Sequence, residues 1–325
     1  MPNDSFKEVT RQSWFSRIRE SFKGIVIGAV FIVASVALLF WNEGRTVKRH
    51  KALEEGEGSV VSVSAERVDP QNEDRLVHLT GEAGTDDVLK DEEFGIEIQA
   101  IKLKRVVEMF QWHEKSEKKT KKNLGGSTTT ETTYSYYKDW SERKIDSGDF
   151  KAREGHENPE MNYRTKEFLA RRVNVGAFIL PESLIEKIDA FEPYPVLDFQ
   201  ENIPDYLKEI LQINGDGFYS GEEPGRPEVG DLRIRFLVVK PVVVSLISRQ
   251  VKSTFEPYTA KSGSRIELLE TGAFSAKEMF QAAKSQNRFL LWILRLAGVV
   301  VMFIGFSMML KVLSVLADVI PFLGS

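Results

Sequence analysis

The sequence predicts an α+β integral membrane protein in which two transmembrane helices flank a strand-rich extramembrane domain. A long stalk helix is expected to continue into the second span. Residues 24–41 and 289–310 are apolar runs, and each is long enough to cross about 30 Å of hydrocarbon at about 1.5 Å per residue. Several stretches of residues 42–274 alternate apolar and polar side chains, which is typical of half-buried strands.

The composition agrees with this class and excludes others. The chain has 325 residues, of which 42% are hydrophobic and 28% are charged, enough for one sizeable domain besides the spans. It contains no cysteine, which excludes disulfides, thiol nucleophiles and cysteine-based metal sites. The formal net charge of -4 argues against a nucleic-acid partner, which normally binds a basic face.

Residues 1–23 are predicted to be a cytosolic amphipathic segment. Trp14, Phe15, Ile18 and Phe22 fall on one side of a helix, which favours a short helix lying in the headgroup layer. A cleaved signal peptide is the alternative for the first apolar run. No small-residue cleavage pattern follows the run, which favours an uncleaved anchor. Flanking charges do not decide the orientation, and we expect both termini in the cytosol.

The extramembrane domain is predicted to begin with strands at residues 59–68 and 75–81. Residues 95–114 change the phase of their apolar alternation, which indicates a bulge within one long strand. A charged segment with two glycines and a threonine run follows, and it predicts a long hairpin with a solvated tip near residue 125.

Further along, residues 181–191 and 203–213 have apolar residues at helical spacing and predict two short amphipathic helices packed on a sheet. Residues 232–247 alternate again as a strand, in which Pro241 marks an edge or a bulge.

At residue 275 the pattern becomes helical and predicts a stalk helix over residues 275–288. Ser275 and Glu278 form a capping box, in which each side chain accepts a backbone N–H of the other residue. The stalk leads without a break into the span at 289–310. Residues 311–325 are amphipathic and predict an interfacial segment.

Arg295 lies within the second span, where a charged side chain is costly unless a partner or the headgroups stabilise it. It lies about 9 Å from the start of the span, within reach of the headgroups for a long side chain. We therefore predict that Arg295 anchors the span at the interface, contacting lipid phosphate or pairing with Glu43. The membrane-interface residues are predicted to be Trp14, Phe15, Trp41, Glu43, Trp292 and Arg295.

Nothing in the sequence predicts catalysis, a cofactor or a metal site. His50, His78, His113 and His156 are scattered without metal-ligand spacing, and no catalytic motif occurs. Aromatic residues cluster instead, and core packing is the plain interpretation. The alternative is a partner-binding surface formed by Phe110, Trp112, Tyr134, Tyr136, Tyr137 and Trp140.

Several sequence motifs, taken in order, resemble those of a known family. LFWNEGR, VEMFQWHE, YSYYKDW, GHENP, RPEVGDLRIRF and GAFSAKEMF occur in this order, and the chain resembles the LUMA, or transmembrane protein 43, family over essentially its whole length. The resemblance implies a four-span protein of the endoplasmic reticulum and inner nuclear membrane in eukaryotes that self-associates and is associated with lamins and emerin.

This chain is expected to be a bacterial relative that lacks the last two spans, which are the alternative partners for Arg295. Lamin binding is therefore not carried over. The expected location is the inner membrane with a periplasmic domain for a bacterial protein.

Two hypotheses about function follow. The first is a non-enzymatic membrane-anchored scaffold that self-associates and organises membrane structure or partner membrane proteins. Its partners would be the lipid bilayer, further copies of the chain in a homo-oligomer and other membrane proteins, but no nucleic acid. The second is a channel or transport component, or a sensor that signals through the stalk helix, and only Arg295 supports it.

Overall fold

The computed structural model describes residues 5–123 and 125–318. It confirms the predicted class, because two helices long and apolar enough to cross a membrane flank a strand-rich region. The chain forms two compact units. Within the described residues, the first unit contains the chain up to Lys48, Glu114–Tyr137 and the chain from Ser285 onward, and the second contains Arg49–His113 and Lys138–Lys284.

The elements follow in chain order. The α-helices are α1 (Trp14–Ser59), α2 (Glu182–Ile185), α3 (Asp205–Ile210) and α4 (Ala276–Ala317). The strands of the first half are β1 (Ser5–Gln12), β2 (Val61–Ser62), β3 (Leu76–Gly84), β4 (Val88–Asp91), β5 (Ile96–Gln99), β6 (Lys102–Lys122), β7 (Thr128–Ser141), β8 (Lys166–Leu169), β9 (Val173–Val175) and β10 (Phe178–Leu180). The later strands are β11 (Glu192–Pro193), β12 (Gln212–Asn214), β13 (Gly217–Ser220), β14 (Leu232–Val239), β15 (Val242–Val251), β16 (Thr254–Glu256), β17 (Tyr258–Thr259), β18 (Arg265–Ile266) and β19 (Leu268–Thr271).

Most strands join one of two sheets in which the pairing is mainly antiparallel. An eight-stranded sheet has the order β1-β7-β6-β14-β13-β12, with β11 beside β14 and β8 beside β6. A seven-stranded sheet has the order β10-β9-β3-β15-β16, with β19 beside β15 and β2 parallel to β3. The pairs β4-β5 and β17-β18 form two small ribbons.

In the first unit, α1 and α4 pack against each other in antiparallel directions. Glycines permit this close approach, since a Cβ atom added to Gly28 would lie 2.5 Å from the carbonyl oxygen of Gly305. A Cβ added to Gly298 would lie 2.6 Å from the Leu39 side chain. Small residues at a helix crossing are how membrane helices bring their backbones together.

The remaining faces of both helices are apolar and exposed. Val26, Val33 and Phe303 are 67%, 70% and 71% exposed, for example. A shallow groove of about 590 Å³ runs along α1, and its lining is entirely apolar: Ile25, Val26, Ala29, Val30, Val33, Ala34 and Ala37. Apolar side chains of this kind are stable facing lipid rather than water.

The first unit also contains the distal part of the long β6/β7 hairpin. Strand β1 extends this hairpin by pairing antiparallel with β7, from Ser5 opposite Ser135 to Gln12 opposite Thr128. Strands β1, β7 and β6 therefore form a three-stranded sheet within the same unit as the two membrane helices.

The second unit has a core of aromatic and aliphatic side chains between its strands. Phe94 contacts Phe236 with ring centroids 5.4 Å apart, and Phe199 contacts the same ring at 5.4 Å. A separate buried cluster contains residues from both long helices, among them Ala52 and Leu53 of α1 and Phe280 of α4. The chain after the first span is polar, but it remains helical up to Ser59 because Ala52 and Leu53 are buried in this cluster.

Several predictions of local structure are confirmed. The strand near residues 75–81 is β3, and the long hairpin is formed by β6 and β7. The capping box is present, because the backbone N–H of Glu278 donates to Ser275 Oγ at 3.3 Å and the backbone N–H of Ser275 donates to Glu278 Oε2 at 2.8 Å. The Ser275 hydroxyl, which donates to Glu278 Oε2 at 2.7 Å, and the Ser275 backbone N–H lower the pKa of the Glu278 carboxyl below its ordinary value. Helix α4 then continues without a break through the second span.

Other predictions are wrong in detail. The predicted short helix before the first span is not separate, because the helix at Trp14 continues as α1 to Ser59 and residues 5–12 form a strand. The phase change within residues 95–114 is not a bulge. It marks the break between β5, which pairs with β4, and β6, which pairs with β14.

Three further details also differ. Most of the strand predicted at 59–68 is absent, since only Val61–Ser62 pairs with a neighbour. Pro241 lies between β14 and β15 rather than inside a strand. The predicted helices at 181–191 and 203–213 are shorter than expected, as α2 and α3 show. The predicted C-terminal amphipathic segment is helical up to Ala317, and residues 319–325 lie outside the described residues.

The glycine contact gives a direct test of the helix packing. Gly28→Val should destabilise the folded protein by about 1–3 kcal/mol, because the added side chain would overlap the backbone of α4. Gly44→Val is the matched control. It makes the same change of helix propensity within α1, but nothing lies within 4 Å of the added Cβ. Thermal unfolding in detergent measures both, and equal losses for the two variants would contradict the packing.

Candidate membrane-anchoring site and partner surface

At the Trp41 end of the helix pair, the structure brings Arg295 and Glu43 together. Arg295 Nε lies 2.7 Å from Glu43 Oε1, and the guanidinium lies 4.8 Å from the centre of the Trp292 ring. The two charged side chains are partly exposed, at 36% and 46%. Trp41 and Trp292 are 58% and 60% exposed. The pairing predicted from the sequence is therefore present, and its membrane-interface role stays a prediction.

Beside this ion pair, buried polar side chains join the two helices. Asn42 is fully buried, and its Nδ2 donates to the carbonyl oxygen of Leu291 at 3.1 Å. Asn287 Nδ2 donates to the carbonyl oxygen of Thr46 at 3.1 Å, and Arg45 donates to Asn287 Oδ1 at 3.3 Å. These hydrogen bonds satisfy polar groups that burial would otherwise penalise, and they fix the register of α1 against α4.

The opposite end of the helix pair carries the other predicted interface aromatics. Trp14 Nε1–H donates to the carbonyl oxygen of Val315 at 3.0 Å, and its ring packs edge-on against Phe15, which is 77% exposed. Along a helix, Trp14 and Trp41 are separated by about 40 Å at about 1.5 Å per residue. This separation matches the thickness of a bilayer with its interfacial regions, where tryptophan is enriched.

A buried ion cluster lies at this same end. Arg17 Nη2 is 2.7 Å from Asp318 Oδ2, and both side chains are almost completely buried, at 9% and 5% exposure. Lys122 Nζ, from the tip of the hairpin, lies 2.8 Å from the other Asp318 oxygen. Arg17 also donates a hydrogen bond to the carbonyl oxygen of Gly126. We call Arg17, Lys122, Gly126 and Asp318 the end clamp, because they tie both helices to the hairpin tip.

The protonation of Asp318 follows from these contacts. Burial by itself raises the pKa of the Asp318 carboxyl, but the hydrogen bonds from Lys122 and Arg17 outweigh it and hold the pKa below the ordinary 3.8. A carboxyl with a lowered pKa in the folded state stabilises that state at neutral pH. The contribution is present above pH 3.8 and is lost as the pH falls through the lower, folded-state pKa.

The predicted partner surface is divided between the two units. In the second unit, Phe110 and Trp140 face each other across β6 and β7 with ring centroids 5.3 Å apart. The next pair along the strands is Trp112 with Lys138, whose Nζ lies 4.6 Å from the ring centre. His156 packs edge-on against Trp112 at 4.7 Å. These residues form a partly exposed row on one face of the sheet.

Neighbouring residues complete this row in the second unit. The Arg233 guanidinium stacks 3.8 Å from the centre of the Trp140 ring, and the Tyr219 ring packs edge-on against the same ring with centroids 6.2 Å apart. The Tyr219 hydroxyl donates to Asp231 Oδ2 at 2.5 Å. Burial, followed by this hydrogen bond to a carboxylate, raises the pKa of Tyr219 well above its ordinary value. Tyr219 therefore remains a neutral hydrogen-bond donor under physiological conditions.

The three tyrosines of the predicted surface lie on the hairpin in the first unit. The Tyr136 hydroxyl donates to Glu114 Oε2 at 2.6 Å, and the Tyr134 ring packs against Phe6 at 6.2 Å. Tyr137 is 47% exposed. Tyr134 and Tyr136 therefore have contacts within the first unit, and Tyr137 is partly exposed. The role of all three in binding a partner stays a prediction.

Hydrogen bonds hold one of the four histidines, His78, in place. His78 is buried, with its ring nitrogens 3.2 Å from Ser62 Oγ and 2.9 Å from the carbonyl oxygen of Phe274. Among residues 5–123 and 125–318, no three His, Asp or Glu side chains are grouped to hold a metal ion.

The end clamp and the Asn42 network were not predicted from the sequence. The glycines within the two apolar runs, Gly28 and Gly305, were the available signal for a close helix crossing. No local pattern pairs Arg17 with Asp318, because they are about three hundred positions apart in the sequence.

Comparisons with known proteins give a consistent result. The sequence model of the transmembrane protein 43 family matches residues 109–325. The chain is 37% identical to transmembrane protein 43 of Rattus norvegicus over 95% of this chain and 78% of the relative. It is 35% identical to the Homo sapiens protein over 97% and 80% of the two chains. The Drosophila melanogaster homolog is 28% identical over 94% and 81%. No solved structure matches the chain significantly.

The Arg295–Glu43 pair can be tested by exchanging its charges. Arg295→Glu should lower the thermal stability of the protein in membranes, because two carboxylates would then meet at the helix ends. Adding Glu43→Arg should restore most of that loss. Arg288→Glu, at an exposed position of the same helix, is the control for a charge reversal alone. Failure of Glu43→Arg to rescue Arg295→Glu would show that the pair does not contribute.

The end clamp predicts a local effect of Asp318. Asp318→Asn should weaken the attachment of the hairpin tip by about 3 kcal/mol, because it leaves the buried Arg17 charge without its partner. Hydrogen exchange of residues 122–128 should rise, and the exchange of the second unit should be unchanged. Wild-type protein should show the same increase in exchange only at pH below 3.8, as Asp318 becomes protonated.

Asp205→Asn is the matched control, since Asp205 is 95% exposed. Equal exchange at residues 122–128 in Asp318→Asn and in wild type would show that the clamp does not hold the tip.

Proposed function

The chain belongs to the transmembrane protein 43 family, and from this membership and the structure we propose that it is a non-enzymatic, membrane-anchored scaffold. It is an integral membrane protein, and the described part of the chain contains two helices long and apolar enough to cross a membrane. In the proposal, copies of the chain self-associate and organise partner membrane proteins or the membrane itself.

The observation that carries the proposal is that each membrane helix also belongs to the folded core of the second unit. Helix α1 contributes Ala52 and Leu53 to a buried cluster, and α4 contributes Met279, Phe280 and Ala283 to the same cluster. Lys284 Nζ and Glu57 Oε2 form an ion pair at 2.5 Å beside it. A folded unit built on two anchoring helices suits the presentation of a binding surface at a membrane.

A second observation supports self-association and binding of other membrane proteins. The two helices contact each other at Gly28 and Gly305, and many of their other apolar side chains are exposed and available to lipid or to further helices. The aromatic row around Trp112 and Trp140 is the proposed contact surface for a partner in the second unit. Aromatic and arginine side chains are enriched at protein interfaces.

The membrane in which the scaffold works is also part of the proposal. For a bacterial source it is the inner membrane with the second unit in the periplasm. For a eukaryotic source it is the endoplasmic reticulum and the inner nuclear membrane.

Self-association is tested by co-expressing two copies of the chain with different affinity tags. We expect capture of one tag to recover the other from detergent, and the particle mass to be a multiple of the 36.9 kDa chain. Mixing the two separately purified proteins after solubilisation is the control for exchange or aggregation. A strict monomer over a wide concentration range, with no co-capture, would refute an oligomeric scaffold.

A further inference from the structure

The groove of about 590 Å³ along the first span, which we call the α1 groove, lies between two ridges of side chains. Within each ridge the residues are spaced four positions apart, as on the surface of any α-helix. The ridges are formed by Ile25, Ala29, Val33 and Ala37 on one side and by Val26, Val30 and Ala34 on the other. Alanine at three of these positions lowers the ridges and widens the space between them.

The α1 groove is turned away from α4. Gly28 contacts α4, and it is two residues from both Val26 and Val30, which places these valines about half a turn around the helix from it. Val26 and Val30 are exposed, in agreement with this placement. The groove is therefore open to the surroundings of the helix pair, and its apolar lining suits a hydrocarbon chain.

The length of the groove matches one leaflet of a bilayer. From Ile25 to Ala37 it extends for about 18 Å, at about 1.5 Å per residue. One leaflet supplies half of the hydrocarbon layer, or about 15 Å. The groove begins at the start of the apolar run of residues 24–41 and so belongs to the leaflet at the Trp14 end. One acyl chain of one lipid is long enough to fill it.

Two cations lie at the headgroup end of the groove. Arg19 and Lys23 are seven and three residues before Val26, and this spacing places all three on one face of α1. Both cations are exposed, and neither has an ion-pair partner among residues 5–123 and 125–318. Long side chains on a helix point back toward its N-terminus. Arg19 and Lys23 therefore extend from the end of the groove into the headgroup layer.

The other charges of this segment do not neutralise this face. Glu20 is six residues before Val26, which places it about a third of a turn away from the face. Arg17 is buried and pairs with Asp318. The face thus combines an apolar groove with two uncompensated positive charges at one end. This is the distribution of an acidic phospholipid with the opposite sign of charge.

We propose that the α1 groove, Arg19 and Lys23 form a binding site for one acidic phospholipid of the leaflet at the Trp14 end. One acyl chain lies in the groove, and the headgroup accepts hydrogen bonds from the two cations. A zwitterionic lipid can fill the groove but does not neutralise both cations, so the site selects an acidic headgroup. The site goes beyond the proposed scaffold and does not depend on self-association, since all its residues belong to one helix.

Photolabelling of the full chain tests the site. The protein is reconstituted into phosphatidylcholine bilayers that contain a small fraction of phosphatidylglycerol with a diazirine on one acyl chain, and mass spectrometry locates the labelled residues. We expect labelling to concentrate at residues 25–37 and to be suppressed by unlabelled phosphatidylglycerol. A phosphatidylcholine probe should label residues 25–37 no more than residues 299–310 of α4. Equal labelling of the two helices by the phosphatidylglycerol probe would overturn the proposal.

Charge reversal tests the two cations. The variant with Arg19→Glu and Lys23→Glu should lower labelling of residues 25–37 by the phosphatidylglycerol probe about tenfold or more, because two attractive contacts become repulsive. Lys311→Glu is the matched control, since Lys311 is an exposed cation of α4 at the same end of the helix pair. An equal decrease in both variants would show a general effect of surface charge and no site.

Filling the groove tests the acyl-chain contact without a change of charge. The variant with Ala29→Phe and Ala34→Phe should reduce labelling of residues 25–37 by the phosphatidylglycerol probe, whereas Val299→Phe, on the exposed face of α4, should not. Labelling that survives the filled groove would contradict the site. Ala34→Cys, in a chain without natural cysteine, reports a different occupant. A disulfide between two copies at this position, without suppressible lipid labelling, would assign the groove to a second α1 and overturn the proposal.

Discussion

The close antiparallel contact between α1 and α4 is the constraint on which the rest of the structure depends. Gly28 and Gly305 bring the two backbones together, and a Cβ atom at Gly28 would overlap the opposite helix. Once this crossing is set, Asn42 meets Leu291 at one end and Trp14 meets Val315 at the other. The contacts at both ends of the helix pair therefore follow from one packing contact.

The ion pairs at the two ends of this helix pair differ in how far they are buried. At the Trp41 end, Arg295 and Glu43 remain partly exposed, so headgroups and water can share in their solvation. At the other end, Arg17 and Asp318 are almost fully buried and depend on each other and on the hairpin tip. Buried ions are costly unless their partners are complete, and this makes the hairpin tip a structural part of the helix unit.

Local signals in the sequence were sufficient for some of this architecture. The spans are predictable because hydrocarbon requires a continuous apolar run, and the start of α4 because Ser275 and Glu278 cap it within one turn. The Arg295–Glu43 pair could also be predicted, since both residues occur at the same boundary. The extension of α1 beyond the span could not be predicted. It is helical because Ala52 and Leu53 are buried against residues that are distant in the sequence. Likewise, β1 looks like part of an amphipathic segment until its partner strand is known.

The pairing of β1 with β7 has a consequence for how the protein is made. Ser5–Gln12 leaves the ribosome before its partner strand, which is synthesised more than one hundred residues later, and Asp318 is synthesised later still. The first span must therefore enter the membrane with its neighbouring strand unpaired. Contacts between such distant segments form slowly, because the chain between them must first be ordered. The first unit is thus completed only after Asp318 has been synthesised, and its assembly reports that synthesis has passed this residue.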